Sequence, residues 1–263
     1  MCLVAQATGE HVKAELVSAV QLAQPGKPFL MSVILRTDPG WHVYWANPGD
    51  SGIPTTLTWT LPPGWSASEP MFGVPSRFTE KDLVTYGFEG STMILTKITA
   101  PAEARVGPVT IRVKADWLAC KDSCIPGGAN LKKTVTLAQK DMNSSMWGDR
   151  LFAVEASVPK PVEGWKAEAD IIEGGFVIKV TPPKPLEKTT FLPTFYPLDM
   201  GTIEHAWPQR IEERNGQIWI GLKRSQFLQK DPTMLRGVLQ APKGTKWDET
   251  NETILIEAPF KPK

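Results

Sequence analysis

Cys120 and Cys124 are the residues of this chain best suited to chemistry. They sit in the run Trp117-Leu118-Ala119-Cys120-Lys121-Asp122-Ser123-Cys124-Ile125-Pro126-Gly127, and the only other cysteine of the 263 residues is Cys2. A chain this sparing with cysteine does not rest on a disulfide framework. A close pair between a strand-like run and an Ile-Pro-Gly turn suits reversible thiol–disulfide exchange. A structural staple is the plainer reading. Closing so short a loop contributes only about 2 kcal/mol in the chain-entropy account, which is little for a chain long enough to bury its own core. Spacing alone leaves both readings open. Zinc needs four ligands, and the sequence offers three histidines (His11, His42, His205) with no second close cysteine pair.

The elements that must position this pair read as β-structure. Val109, Ile111, Val113, Ala115 and Trp117 alternate with Thr110, Arg112, Lys114 and Asp116, the pattern of a half-buried strand leading straight to Cys120. Comparable runs cover 29–35, 57–61, 93–98 and 131–137, and in the second half 176–180, 218–222 and 254–256. Asn215-Gly216, just before Ile218, is a hairpin-turn signal. One stretch differs: Trp147, Leu151, Val154 and Val158 recur at helical spacing over 143–158, behind Asn143 or Ser144 as N-cap and ahead of Pro159 and Pro161. Gly148 weakens that helix.

Composition narrows the class. The 24 prolines punctuate short apolar runs and disfavour long helices. A net charge of +1 with interspersed signs lacks the basic stripe a nucleic acid needs. No apolar run approaches a membrane span. The expectation is an all-β chain of two immunoglobulin-like β-sandwich domains, 8–140 and 161–263, joined by a short helical linker at 141–160. Ala5-Gln6-Ala7 fits a signal-peptidase site, so residues 1–7 read as a signal-peptide remnant.

Four phrases together resemble the N-terminal periplasmic region of the DsbD/ScsB family of transmembrane thiol–disulfide reductases. They are Gly40-Trp41-His42-Val43-Tyr44-Trp45-Ala46-Asn47-Pro48-Gly49-Asp50-Ser51-Gly52, Leu83-Val84-Thr85-Tyr86-Gly87-Phe88-Glu89-Gly90, the cysteine run, and Phe195-Tyr196-Pro197-Leu198-Asp199 through Ala206-Trp207-Pro208-Gln209. They span most of the chain, and a second β domain after the cysteines is similar to the ScsB-like branch. The resemblance implies a periplasmic location, with the full-length protein anchored in the inner membrane. It implies that electrons arrive from a thioredoxin-like domain and a transmembrane domain of the same protein and leave to periplasmic disulfide oxidoreductases. No organic cofactor is required.

The resemblance also implies residue roles. Cys120 and Cys124 match the family's redox pair. Phe78, in Pro75-Ser76-Arg77-Phe78-Thr79-Glu80, is the expected aromatic cap over that pair, with Phe72 as the second choice. His42 and Tyr44 fall where DsbD has tyrosines near its cysteines, and being two apart they share a strand face. His42 in place of a tyrosine brings a group that titrates near neutral pH. The cysteine spacing, shorter than in DsbD itself, leaves open which cysteine is attacked first.

Two other functions compete. One is an exported, non-enzymatic binding module whose Cys120–Cys124 bridge is structural. The other is copper handling, for which cysteine, histidine and methionine are suitable soft ligands, with Met71, Met93 and His42 near the pair.

Overall fold

The computed structural model describes residues 7–139, 143–184, 193–248 and 250–260. The signal-remnant expectation falls on residues 1–7, and of these 1–6 lie outside the described residues. The chain is nearly all β. Its strands are β1 (Ala7–Gly9), β2 (Val12–Ser18), β3 (Val20–Ala23), β4 (Pro28–Thr37), β5 (His42–Gly49), β6 (Thr56–Thr60), β7 (Ser66–Ala67), β8 (Ser76–Glu80), β9 (Leu83–Glu89), β10 (Ser91–Thr99), β11 (Gly107–Cys120), β12 (Cys124–Leu137) and β13 (Asn143–Ser144). After the helix α1 (Gly148–Ser157) come β14 (Lys166–Ile172), β15 (Gly175–Thr181), β16 (Thr194–Pro197), β17 (Arg210–Arg214), β18 (Gln217–Lys223), β19 (Met234–Gln240) and β20 (Thr253–Pro259). Among the described residues no helix is long and apolar enough to cross a membrane.

Two compact units are present. The first takes the residues up to Ala46, Ile53–Gly73 and Gly87–Val158, and the second takes Asn47–Gly52, Val74–Tyr86 and everything from Pro159 onward. In the first unit, β1, β2, β4, β10 and β7 form one sheet. The other is built on the long antiparallel β11–β12 hairpin, flanked by β3 on one side and by β5 and β6 on the other. Leu16, Val33, Ile34 and Leu95 from the first sheet share a core with Ile111, Val113, Trp117 and Leu131 from the second, which makes an immunoglobulin-like sandwich. In the second unit the order β14-β15-β18-β17 faces β16-β19-β20 across a core of Phe176, Ile178, Ile220, Leu239 and Ile254.

Several local expectations hold and others change. The alternating run Val109 to Trp117 lies in β11 with Ile111, Val113, Ala115 and Trp117 buried. Asn215 and Gly216 both have positive φ, 53° and 77°, and join β17 to β18 as a two-residue turn with Arg214 opposite Gln217. The Ile-Pro-Gly turn, by contrast, does not exist. Ile125, Pro126 and Gly127 pair with Ala119, Leu118 and Trp117 as the opening of β12. Proline is tolerated there because β3 reaches β12 only at Thr136 and Leu137, so Pro126 is at a sheet edge. Gly127 is needed because a Cβ would collide with the Trp117 indole nitrogen.

The helix also begins later than its N-cap signals suggest. Asn143 and Ser144 pair with β3 instead, and the Ser145 hydroxyl accepts from Trp147 N–H at 2.9 Å. Gly148 opens the helix because any Cβ would collide with the Ser144 hydroxyl. Leu151 of α1 is buried in the first core, and Glu155 pairs with Lys97 at 2.8 Å.

Candidate functional site

The site is the tip of the β11–β12 hairpin. Fourteen residues on each side run in unbroken antiparallel register to a final pair, Cys120 opposite Cys124, and the two are joined by a disulfide. Lys121 N–H donates to Ser123 C=O at 3.1 Å and closes the turn, whose three residues are exposed. The two sulfurs are not equivalent. Cys120 is 2% exposed, whereas Cys124 is exposed. A disulfide is opened by in-line attack on one sulfur, and access decides which. Here the more accessible residue of the pair is Cys124.

The neighbouring strand β5 supplies the surroundings of the buried sulfur. Its His42 is in register with Cys120 and its Val43 with Ala119. Tyr44, itself buried, donates its hydroxyl to Cys120 Sγ at 3.1 Å, and that oxygen lies 4.0 Å from Cys124 Sγ. Thr55 Oγ1 donates to Tyr44 C=O at 2.7 Å and holds the backbone at that residue. The half-buried His42 ring meets the Tyr44 ring edge-on, centroids 5.2 Å apart at 77°. The structure therefore brings Cys120, Cys124, Tyr44 and His42 together in the first unit. Phe78 is a half-buried residue of β8, in the second unit. Phe72 stacks on Phe88 at 6.5 Å within the first unit and packs against its core.

The soft-ligand set does not gather on one sheet. Met93 is buried in β10, and Met71 bridges to Leu95 of the same strand, on the five-stranded sheet, whereas His42 and the cysteines belong to the other. Among the described residues no three of His, Cys, Asp and Glu are grouped as metal ligands.

One polar cluster escaped the reading of the sequence. In the second unit the Tyr86 hydroxyl lies 3.4 Å from His205 Nδ1, and the Tyr86 ring packs edge-on against both His205 and Tyr196. Asp50 accepts from the backbone N–H of Val84 at 2.8 Å and of His205 at 3.2 Å, while Asn47 Nδ2 donates to Pro197 C=O at 2.9 Å. Burial pushes the Tyr86 hydroxyl well above the usual tyrosine range and raises that of Tyr196, in both against the nearby Arg77 charge. Burial also lowers the His205 pKa, opposed by Asp50 and Glu204, so the imidazole is neutral at neutral pH. These residues come from three of the four phrases that carry the family resemblance. The contacts of Asn47, Asp50 and Tyr86 with the residues of 196–205 span over a hundred positions, so no periodicity or spacing joins them.

Comparison with known proteins follows the same lines. The family model described as thiol:disulfide interchange protein DsbD, N-terminal, matches residues 11–136. Among solved structures, the N-terminal periplasmic domain of ScsB from Proteus mirabilis superposes with a TM-score of 0.66 over 98% of this chain and 97% of that one. Sequence identity there is 12%, so the likeness is one of fold. Spo0M, a sporulation control protein from Bacillus subtilis, aligns over 95% of this chain and 90% of its own at 10% identity, with a TM-score of 0.26 on which nothing is built. No curated protein matches.

Proposed function

Since residues 11–136 of this chain match the family of DsbD N-terminal domains, we propose that it is a periplasmic protein-disulfide reductase module working through Cys120 and Cys124. The observation that carries the reading is the asymmetry of the pair, an exposed Cys124 joined to a buried Cys120 that already accepts a hydrogen bond.

The chemistry runs in two half-reactions. A donor dithiol presents a thiolate to Cys124 Sγ. A new sulfur–sulfur bond forms, the Cys120–Cys124 bond breaks, and Cys120 leaves as a thiolate. The Tyr44 hydroxyl stabilises that charge, because a hydrogen bond strengthens when its acceptor is ionised. The donor's second thiolate then attacks its own sulfur in the mixed disulfide. Cys124 is released, and two electrons now rest on this chain. In the second half-reaction Cys124 thiolate attacks an acceptor disulfide, and Cys120 resolves the mixed disulfide. The donor we propose is a thioredoxin-like domain fed by a transmembrane domain of the same protein, and the acceptors are periplasmic disulfide oxidoreductases. Phe78 is proposed as the cap and His42 as a modulator of the pair. Copper handling gains no support from the placement of Met71 and Met93.

Equilibrium titration in glutathione buffers tests the reading. A relay pair titrates within the working range of its partners. A pair that stays oxidised below about −300 mV is a staple.

A further inference from the structure

The second unit contains a cavity of about 220 Å³, lined by Arg77, Tyr86, Phe195, His205, Trp207 and Ile211 among others. Among the described residues its lining holds no carboxylate, and its one formal charge is the Arg77 guanidinium. Arg77 donates Nη1 to Thr79 Oγ1 at 2.8 Å, and among the described residues no carboxylate comes within 4 Å of it. Its field reaches the cluster behind it and favours the ionised form of both Tyr86 and Tyr196. Of the two carboxylates that act on the same cluster, Asp50 is engaged by two backbone N–H groups and Glu204 by the backbone N–H of Gln226. Phe195, Trp207 and Ile211 supply the aromatic and apolar part of the walls. Trp207 is 50% exposed, and the Lys223 ammonium lies 3.8 Å from its ring centroid, a second cation beside the mouth.

His205 adds an unmet demand. It is 4% exposed, and its Nε2 is buried with no hydrogen-bond partner among the described residues. The Tyr86 hydroxyl and His205 Nδ1 are 3.4 Å apart, and in the tautomer where the hydroxyl donates, the neutral ring carries its proton on the buried Nε2. A cation at the mouth, a buried ring nitrogen and a flat aromatic wall together describe the complement of an anionic head on a ring. Carboxylates suit arginine because the guanidinium fork matches their two oxygens. The volume is below the several hundred Å³ that hold a drug-sized ligand, so the occupant is a single-ring acid.

We propose that this cavity is a binding site for a small aromatic monocarboxylate, its head group on Arg77 and its ring against Trp207 and Phe195. Nothing in the redox reading of Cys120 and Cys124 requires it.

The test is isothermal titration of the whole chain with phenylacetate and with its neutral isostere phenylacetamide, repeated on Arg77→Gln. Arg77 is exposed, so the substitution leaves the fold in place, as circular dichroism verifies. Phenylacetate should bind at least tenfold more tightly than phenylacetamide, and Arg77→Gln should abolish that preference. No binding of phenylacetate, equal binding of the two probes, or an undiminished preference in Arg77→Gln overturns the proposal. A tripeptide with a C-terminal phenylalanine that binds more tightly than phenylacetate also overturns it, by placing the carboxylate on a partner's chain end.

Discussion

The Tyr44 hydroxyl sits 3.1 Å from the sulfur of Cys120 and 4.0 Å from that of Cys124, so the buried half of the disulfide holds the closer contact. Tyr44→Phe keeps the ring and removes the donor. A hydrogen bond to a charged acceptor contributes about 1.5–3 kcal/mol, and about 1.4 kcal/mol is a factor of ten in rate. Reduction of the disulfide by dithiothreitol should therefore slow about tenfold in Tyr44→Phe, measured by stopped flow. An unchanged rate would show that the hydroxyl plays no part in releasing Cys120.

The single-cysteine variants should differ sharply. Cys120→Ser leaves the exposed Cys124, which should react with an aromatic disulfide reagent and yield a stable mixed disulfide. Cys124→Ser leaves the buried Cys120, which should react at least tenfold more slowly in the folded state. Equal rates would remove the distinction between attacked and leaving sulfur.

Phe78 carries the cap assignment. An aromatic ring over a disulfide blocks the in-line path of a thiolate. Phe78→Ala should raise the rate of reduction by a small thiol several-fold and leave the equilibrium potential unchanged. Phe72, engaged with Phe88, is the control whose replacement should cost stability instead. No change of rate in Phe78→Ala ends the cap proposal.

The division into 8–140 and 161–263 through a helical linker at 141–160 is also open to test. Limited proteolysis should cut within 141–160 and leave two resistant cores. Cleavage that instead dismantles the first core would fit the burial of Leu151 and make α1 part of that core.

A pH effect follows from His205. Its folded-state pKa is lowered, chiefly by burial, so the unfolded chain binds a proton that the folded one refuses. Stability then rises with pH through the window below about 6.5, the ordinary histidine value, and is lost as pH falls through it. Urea midpoints taken at pH 7.5 and pH 5 should fall further for the wild-type chain than for His205→Gln. Parallel losses in the two would show that His205 is not the group responsible.

What the sequence made legible depended on how many faces of a strand are wet. β11 alternates because one face is buried and the other is not, and its strand was readable from Val109 to Trp117. β5 is different: Val43, Tyr44 and Trp45 are buried in succession, so no alternation marks it. It was His42 and Tyr44 in a family-like phrase that pointed there. The Ile-Pro-Gly run was misleading because proline and glycine signal turns locally, while edge pairing and the close approach of Trp117 are properties of the folded sheet. The same holds for Gly148, read as a weak point in a helix and found to be the one residue its first turn can accommodate. The Tyr86–His205 cluster was invisible because nothing local in a chain announces a contact made a hundred residues away.

The register of the β11–β12 hairpin has a mechanical consequence. Cys120 and Cys124 are opposite one another because twenty-six other residues on those strands are. Breaking the sulfur–sulfur bond therefore leaves the ladder in place, and the thiols stay side by side like two contacts of an open switch. Amide hydrogen exchange along the hairpin should be nearly the same in both redox states. A partner then has no altered shape to feel, and must learn whether this module is charged or spent by touching sulfur.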